Sequence, residues 1–99
     1  MTKAVSSNLP TLIVGGLQYK NMSASTKVKP SSGTMVGLFC ASASSTPTIK
    51  IYDNSASGGT VIVNTFTPVG GVWYPLPFAF NNALFVDIGG TVDCTVTFN

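Results

Sequence analysis

Apolar positions in this chain come in short blocks or at every second residue, and nowhere do they hold the three-and-four spacing of a helix over a useful length. Residues 34–41, TMVGLFCA, form a continuous apolar run, as expected of a strand covered on both faces or lying in mid-sheet. Residues 49–53 alternate instead, with Ile49 and Ile51 inward and Thr48, Lys50 and Tyr52 outward. The polar insert DNSASGG follows, and a second β-branched run occupies residues 60–67, so TIKIYDNSASGGTVIVNTF reads as a hairpin. Gly70-Gly71, Asn81-Asn82 and Gly89-Gly90 then punctuate the chain at intervals of about ten residues, the spacing of sandwiches and barrels. Between them lie strands over 73–80, 83–88 and 92–98. With one short strand around Leu12-Ile13-Val14, about seven strands are expected. The prediction is an all-β protein. An antiparallel sandwich of jelly-roll or immunoglobulin-like type covers residues 26–99, preceded by an extended N-terminal arm over residues 1–25.

Three local patterns refine this. In WYPLPFAF the prolines stand at 75 and 77, so both missing N–H donors fall on the same lateral side of the strand. This predicts an edge strand with its proline side unpaired, with Leu76, Phe78 and Phe80 sharing the inward face. In FVDIGGTVDC a two-residue Gly-Gly loop would put the apolar sets of the two arms on opposite faces. An odd loop, Gly89-Gly90-Thr91, pairs Ile88 with Val92, Val86 with Cys94 and Leu84 with Val96, and is the predicted hairpin. In the run 60–67, Ile62, Asn64 and Phe66 fall on one face and Val61, Val63 and Thr65 on the other. One of these sets is left as an apolar stripe to be covered by the arm or by another chain.

Composition changes the picture in one respect. Charged residues make up 8% of the 99 residues, while hydrophobic ones make up 44%, so Ser, Thr, Asn and Gly stand where charge ordinarily would. Such a surface is hydroxyl-rich and has little charge repulsion to oppose association. The net charge of +2 comes from five Lys and no Arg. Lys20, Lys27 and Lys29 are read as a solvated face, not a nucleic-acid patch, because phosphate and base recognition lean on the Arg fork. No run approaches the roughly 18 apolar residues of a membrane span. AVSSNLPTLIVGG is too broken for a secretion signal. Synthesis in a cytosol, with reduced cysteines, is the expectation.

Candidate chemistry is sparse. The chain has no His, which removes the commonest general base and the usual partner of a nucleophilic Ser or Cys. Two isolated cysteines do not make a zinc site, and no Gly-rich loop precedes a helix. No catalytic residue, metal ligand or cofactor is therefore expected. The odd-loop register sets Asp87 opposite Asp93, which reads as two solvated acids or, alternatively, a cation site or a carboxylate pair. Cys40 and Cys94 both fall on core-facing positions, as free thiols or, alternatively, a disulfide. Trp73, Tyr74 and Tyr52 are candidates for an interface anchor, for plain packing or for a sugar platform.

The segments SGTMVGLFCASAS, TPTIKIYDNSASGGTVI and FAFNNALFVDIGGTVDCTVTF, taken in order, resemble a type of small all-β protein carried by tailed bacteriophages. Those proteins show a G-x-hydrophobic strand, an I-x-I-Y-D-N hairpin, then an Asn-Gly-Leu-hydrophobic segment and a G-T-x-x-x-T-V segment at the C-terminus. The resemblance spans residues 33–98 and departs at Ala83, where the pattern has Gly before the Leu. It implies a non-enzymatic virion structural protein that decorates or cements the head by binding across capsid subunits. The alternative is a carbohydrate- or cell-surface-binding module of a fibre or tail. The implied partners are the major capsid protein or other virion proteins and further copies of the chain, with no nucleic acid and no membrane. The implied location is the virion, assembled in the host cytoplasm. The residues expected at the interface are Leu12, Ile13, Val14, Val61, Val63, Trp73 and Tyr74.

Overall fold

The computed structural model describes residues 16–99, which are all-β and form one antiparallel sheet of seven strands. The strands are β1 (Gln18–Met22), β2 (Thr26–Lys29), β3 (Gly33–Asp53), β4 (Thr60–Phe66), β5 (Val72–Pro75), β6 (Ala79–Phe80) and β7 (Leu84–Phe98). The spine is a single long antiparallel ladder between β3 and β7, running from Met35–Phe98 to Tyr52–Phe85. The flanking strands attach to its two edges. β5 and β4 pair with β3 at residues 37–40 and 49–53, and β6 pairs with its first two residues. β1 and β2 pair with β7 at residues 94–98 and 84–86. Two four-stranded halves result, β1-β7-β3-β5 and β2-β7-β3-β4, which share both long strands. The sequence anticipated two separate packed sheets. Hydrogen bonding instead runs continuously through one, although side chains from both halves meet in one core cluster.

The predicted hairpin at Gly89-Gly90 is not formed. The chain passes straight through, and the even-numbered face of β7 stays inward on both sides of the glycines: Leu84, Val86, Val92, Cys94, Val96 and Phe98 are buried. The parity conflict that motivated an odd loop exists only if the chain turns. The glycines serve a close backbone approach. A Cβ on Gly90 would run into the carbonyls of Ser45 and Thr46, and one on Gly89 into the Thr48 hydroxyl. Gly90 has φ of 74°, while Ser45 and Thr46 have φ of 59° and 53°, so the ladder bends where these residues face each other.

β3 accommodates this partner by bulging. Its register shifts at Met35/Gly37, at Cys40/Ser42 and at Ser44/Thr48. The first two shifts each turn the inward set over, from Met35 to Leu38 and Cys40 and then to Ala43, while the third inserts two extra residues and leaves Ile49 and Ile51 on the same face as Ala43. The continuous run TMVGLFCA lies in mid-sheet between β7 and β5, one of the two readings it allowed, and a bulge at its start moves the buried face by one residue. The same device resolves the run Val61-Ile62-Val63. β4 pairs Phe66 with Ile49 and Val63 with Ile51, with register shifts on both sides of Ile51. Ile62, Val63 and Phe66 all pack against the core. Val63 and Phe66 thus share a face that simple alternation assigned to different sides, and no continuous apolar stripe is left.

β5 lies at the sheet edge, as its prolines predict. Leu76 N–H donates to the Val36 carbonyl and Gly71 N–H to the Cys40 carbonyl. The Leu76 bond continues the β5 register, so even-numbered donors face β3 there and Pro75 falls on the open side. Phe78 departs from the expected inward set and is 43% exposed. Its N–H donates to the Leu76 carbonyl at 2.9 Å, a tight turn about Pro77 that breaks the alternation. Phe80 is buried and Leu76 packs on the core, as expected. Gln18–Met22, assigned to the arm on sequence, pairs with β7 and buries Met22.

Asp53 ends β3 and anchors the approach to β7. Its carboxylate accepts from the N–H groups of Asn81 (2.8 Å), Asn82 (2.7 Å) and Ala83 (3.3 Å). The Asn81 and Asn82 bonds hold its pKa below the ordinary 3.8, against the opposing effect of burial. Because the folded pKa is depressed, the stabilisation is present above the unfolded value and is lost as pH falls from about 3.8 through the folded pKa. Asp53→Ala should destabilise the protein by about 2 kcal/mol, since it strands the buried Ala83 donor and two partly buried ones. Asp53→Asn should flatten the acid limb of a urea-denaturation series run against pH. An acid limb unchanged in the Asn variant would contradict the role given to this carboxylate.

Candidate interaction surface

The outward face of the β1-β7-β3-β5 half is built from residues of alternate parity to the core. Directly paired residues across strands share a face, so the registers set out its rows. One row is Asn21, Thr95, Phe39 and Trp73; the next is Tyr19, Thr97, Gly37 and Pro75. Three aromatics emerge here: Tyr19 is 77%, Trp73 45% and Phe39 41% exposed. Thr95 and Thr97 lie between them.

Trp73 does not stand upright. A Cβ on Gly37 would overlap the six-membered ring of the indole, so the indole leans diagonally across from β5 and lies over the Gly37 backbone. Gly37 is the only residue type that leaves room for it, and it is buried although it points outward. Asn21 fixes the far end of its row. Its side-chain amide donates to the Asp93 carboxylate (2.9 Å), the Cys94 carbonyl (3.1 Å) and the Thr95 hydroxyl (3.1 Å).

The residues proposed from sequence are dispersed. Leu12, Ile13 and Val14 lie outside the described residues. Val61 is exposed, but on the other half, paired with Tyr52. Val63 faces the core. Tyr74 sits on the opposite face of β5 from Trp73; its ring packs against Phe66 with centroids 5.2 Å apart, and its hydroxyl accepts from Val69 N–H. Tyr52 is buried, with the Lys50 ammonium 5.3 Å from its ring centre. Of the candidates among the described residues, then, only Trp73 belongs to the aromatic face, and its companions are Phe39 and Tyr19. Period-two counting from Gly37 would have found Phe39. Tyr19 was hidden by its assignment to the arm.

Asp87 and Asp93 are not opposed. They lie on one strand, Asp87 across from Lys50 and Asp93 across from Ser42. Asp87 accepts from the Ser25 and Ser57 hydroxyls at 2.8 and 3.3 Å. Each acid is thus countered by neutral donors, and the juxtaposition that suggested a cation or acid–base pair is absent. Among the described residues no three His, Cys, Asp or Glu gather as metal ligands. Cys40 and Cys94 are free thiols, both fully buried. Burial raises the pKa of both and pushes Cys94 up to about 12, which makes them poor nucleophiles. No helix among the described residues is long and apolar enough to cross a membrane.

Comparison with protein-family models, curated proteins and solved structures returns no match. The surface is therefore read on its own chemistry: aromatic anchors, hydroxyls and one fixed carboxylate on a sheet face. That composition suits a protein interface core or a stacking platform.

Trp73 is the only tryptophan, so its fluorescence reports this face alone. Gly37→Ala should expel the indole from its seat and shift emission to longer wavelength with the fold retained by circular dichroism. Unchanged emission would contradict the seating of Trp73 on Gly37.

Proposed function

We propose that this chain is a non-enzymatic virion structural protein, as its sequence resemblance to tailed-phage proteins suggests, and that it decorates or cements the head by binding across neighbouring capsid subunits. The observation that carries the reading is the Tyr19–Phe39–Trp73 face, exposed on a protein of which 8% is charged. Exposed aromatics on one sheet face, interspersed with hydroxyls, favour association over isolation. In this reading the major capsid protein or another virion protein is the partner, further copies of the chain assemble beside it, and Leu12, Ile13 and Val14 reach across a neighbour from the N-terminal arm. The chemistry agrees with a non-catalytic role: there is no His to serve as base, and both thiols are buried with raised pKa.

A second reading, a carbohydrate- or cell-surface-binding module of a fibre or tail, has its own support. An indole that reaches over Gly37 and stays 45% exposed offers a surface on which a sugar ring can stack.

Attachment through apolar and hydroxyl groups should be nearly insensitive to salt, because few ions pair. Particles carrying the protein should keep it through a sodium chloride series, whereas Trp73→Ala should weaken attachment by about 10- to 100-fold, as loss of a buried aromatic anchor does. Deletion of residues 1–15 should weaken it further. Release by moderate salt alone would show that the lysines carry the contact. Binding of the isolated chain to a glycan panel, lost in Trp73→Ala, together with no copies on the head, would favour the second reading.

A further inference from the structure

Cys40 and Cys94 are direct partners in the β3–β7 ladder and both face the core. The hydrogen-bond parity of the two strands fixes what kind of pair they form. On β3, the Val36 and Cys40 carbonyls accept from Leu76 and Gly71, on the side away from β7. Thr34 and Asn99 exchange both of their backbone bonds, at 3.2 and 2.8 Å. By alternation from Asn99, the odd-numbered residues of β7 turn their backbone groups to β3, and Cys94 turns its own to β1. There its carbonyl accepts from the Asn21 amide. Cys40 and Cys94 are therefore a non-hydrogen-bonded pair, the close kind, with Cα atoms about 4.5 Å apart. That lies inside the window of roughly 4.4–6.8 Å in which a disulfide closes without moving backbone.

We infer that Cys40 and Cys94 are a reversible cross-strand disulfide site that locks the two long strands together. The inference is independent of the virion reading, because it concerns the ladder and not the outer face. The oxidant is a small-molecule disulfide. One cysteine, as thiolate, attacks a sulfur of that disulfide, forming a mixed disulfide and releasing one external thiol, which takes up the proton. The second cysteine then displaces the other external thiol. Two protein thiols are oxidised and one external disulfide is reduced to two thiols. Burial and the raised pKa of both groups suppress the first step in the closed protein, so the bond enters while the core is open. Such a pair suits a chain folded in a reducing compartment and used in an oxidising one.

The test is refolding of the full chain from urea in an oxidised/reduced glutathione buffer, with a parallel sample in dithiothreitol. Intact mass, alkylatable thiols and thermal midpoint are the readouts. The glutathione sample should be monomeric, lack two hydrogens, and offer no thiol to alkylation under denaturing conditions. Its midpoint should rise by about 10 °C over the reduced sample, given the long loop that is closed. Dithiothreitol should reverse all three changes. In a Cys40→Ala/Cys94→Ala chain the redox buffer should leave the midpoint unchanged. Refolded protein with both thiols still alkylatable under oxidising buffer would overturn the proposal. So would an oxidised product found solely as linked dimers.

Discussion

The constraint on which the rest of this structure depends is that β7 keeps one face buried along its whole length. Its even-numbered side chains run from Leu84 to Phe98 without a change of side, and β3 must follow them. An unbulged β3 would present Met35 correctly and then turn Leu38 and Cys40 outward. Each of those side chains is worth about 1.5 to 3 kcal/mol on burial. A bulge leaves a ladder bond or two unmade, at about 1 kcal/mol each. Burial wins at the first two register shifts, where the buried face changes. The left-handed Ser45 and Thr46 are tolerated for the same reason, where the ladder bends over Gly90.

The outer surface follows from the same ladder. Once Leu38 and Cys40 are inward, Gly37 and Phe39 are outward, and β5 must bring Trp73 beside them. The glycine that leaves room for the indole is the residue just past the first bulge, so core packing and the aromatic face are set by one local event. At the other end of the ladder, Asp53 ties the end of β3 to the backbone that leads into β7. The edges are blunted by Pro75 on β5, by the shortness of β1 and β2, and by Lys20, Lys27 and Lys29 on those two strands.

Strand content, antiparallel character, the hairpin around DNSASGG and the proline edge were legible in the sequence because each rests on local chemistry: β-branched runs, turn residues and a missing N–H. What was not legible shares one cause. Counting by two assumes an unbroken pleat, and β3 and β4 are bulged, so Val63 was sent to the wrong face, and the apolar run 34–41 left open whether its strand was covered on both faces or lay in mid-sheet, as it does. Gly89-Gly90 looks like a turn because glycine pairs usually are. Here they make room for Thr48 and for the Ser45 and Thr46 carbonyls, contacts that no local pattern contains. The clue that was present is the even-numbered apolar series, which continues across the two glycines without a slip. Among the candidate surface residues, Trp73 was found because proline parity placed it outward. Phe39 was missed because its neighbours are all apolar.

The most direct test of this account is the set of cross-strand contacts between α-protons in a nuclear Overhauser spectrum of the labelled full chain. The continuous ladder predicts strong α-proton contacts at the non-hydrogen-bonded pairs Leu38–Val96 and Cys40–Cys94. Contacts of Val86 with Cys94 and of Ile88 with Val92, in place of these, would mean that the chain turns back at Gly89-Gly90, and the account of both the core and the aromatic face would fail.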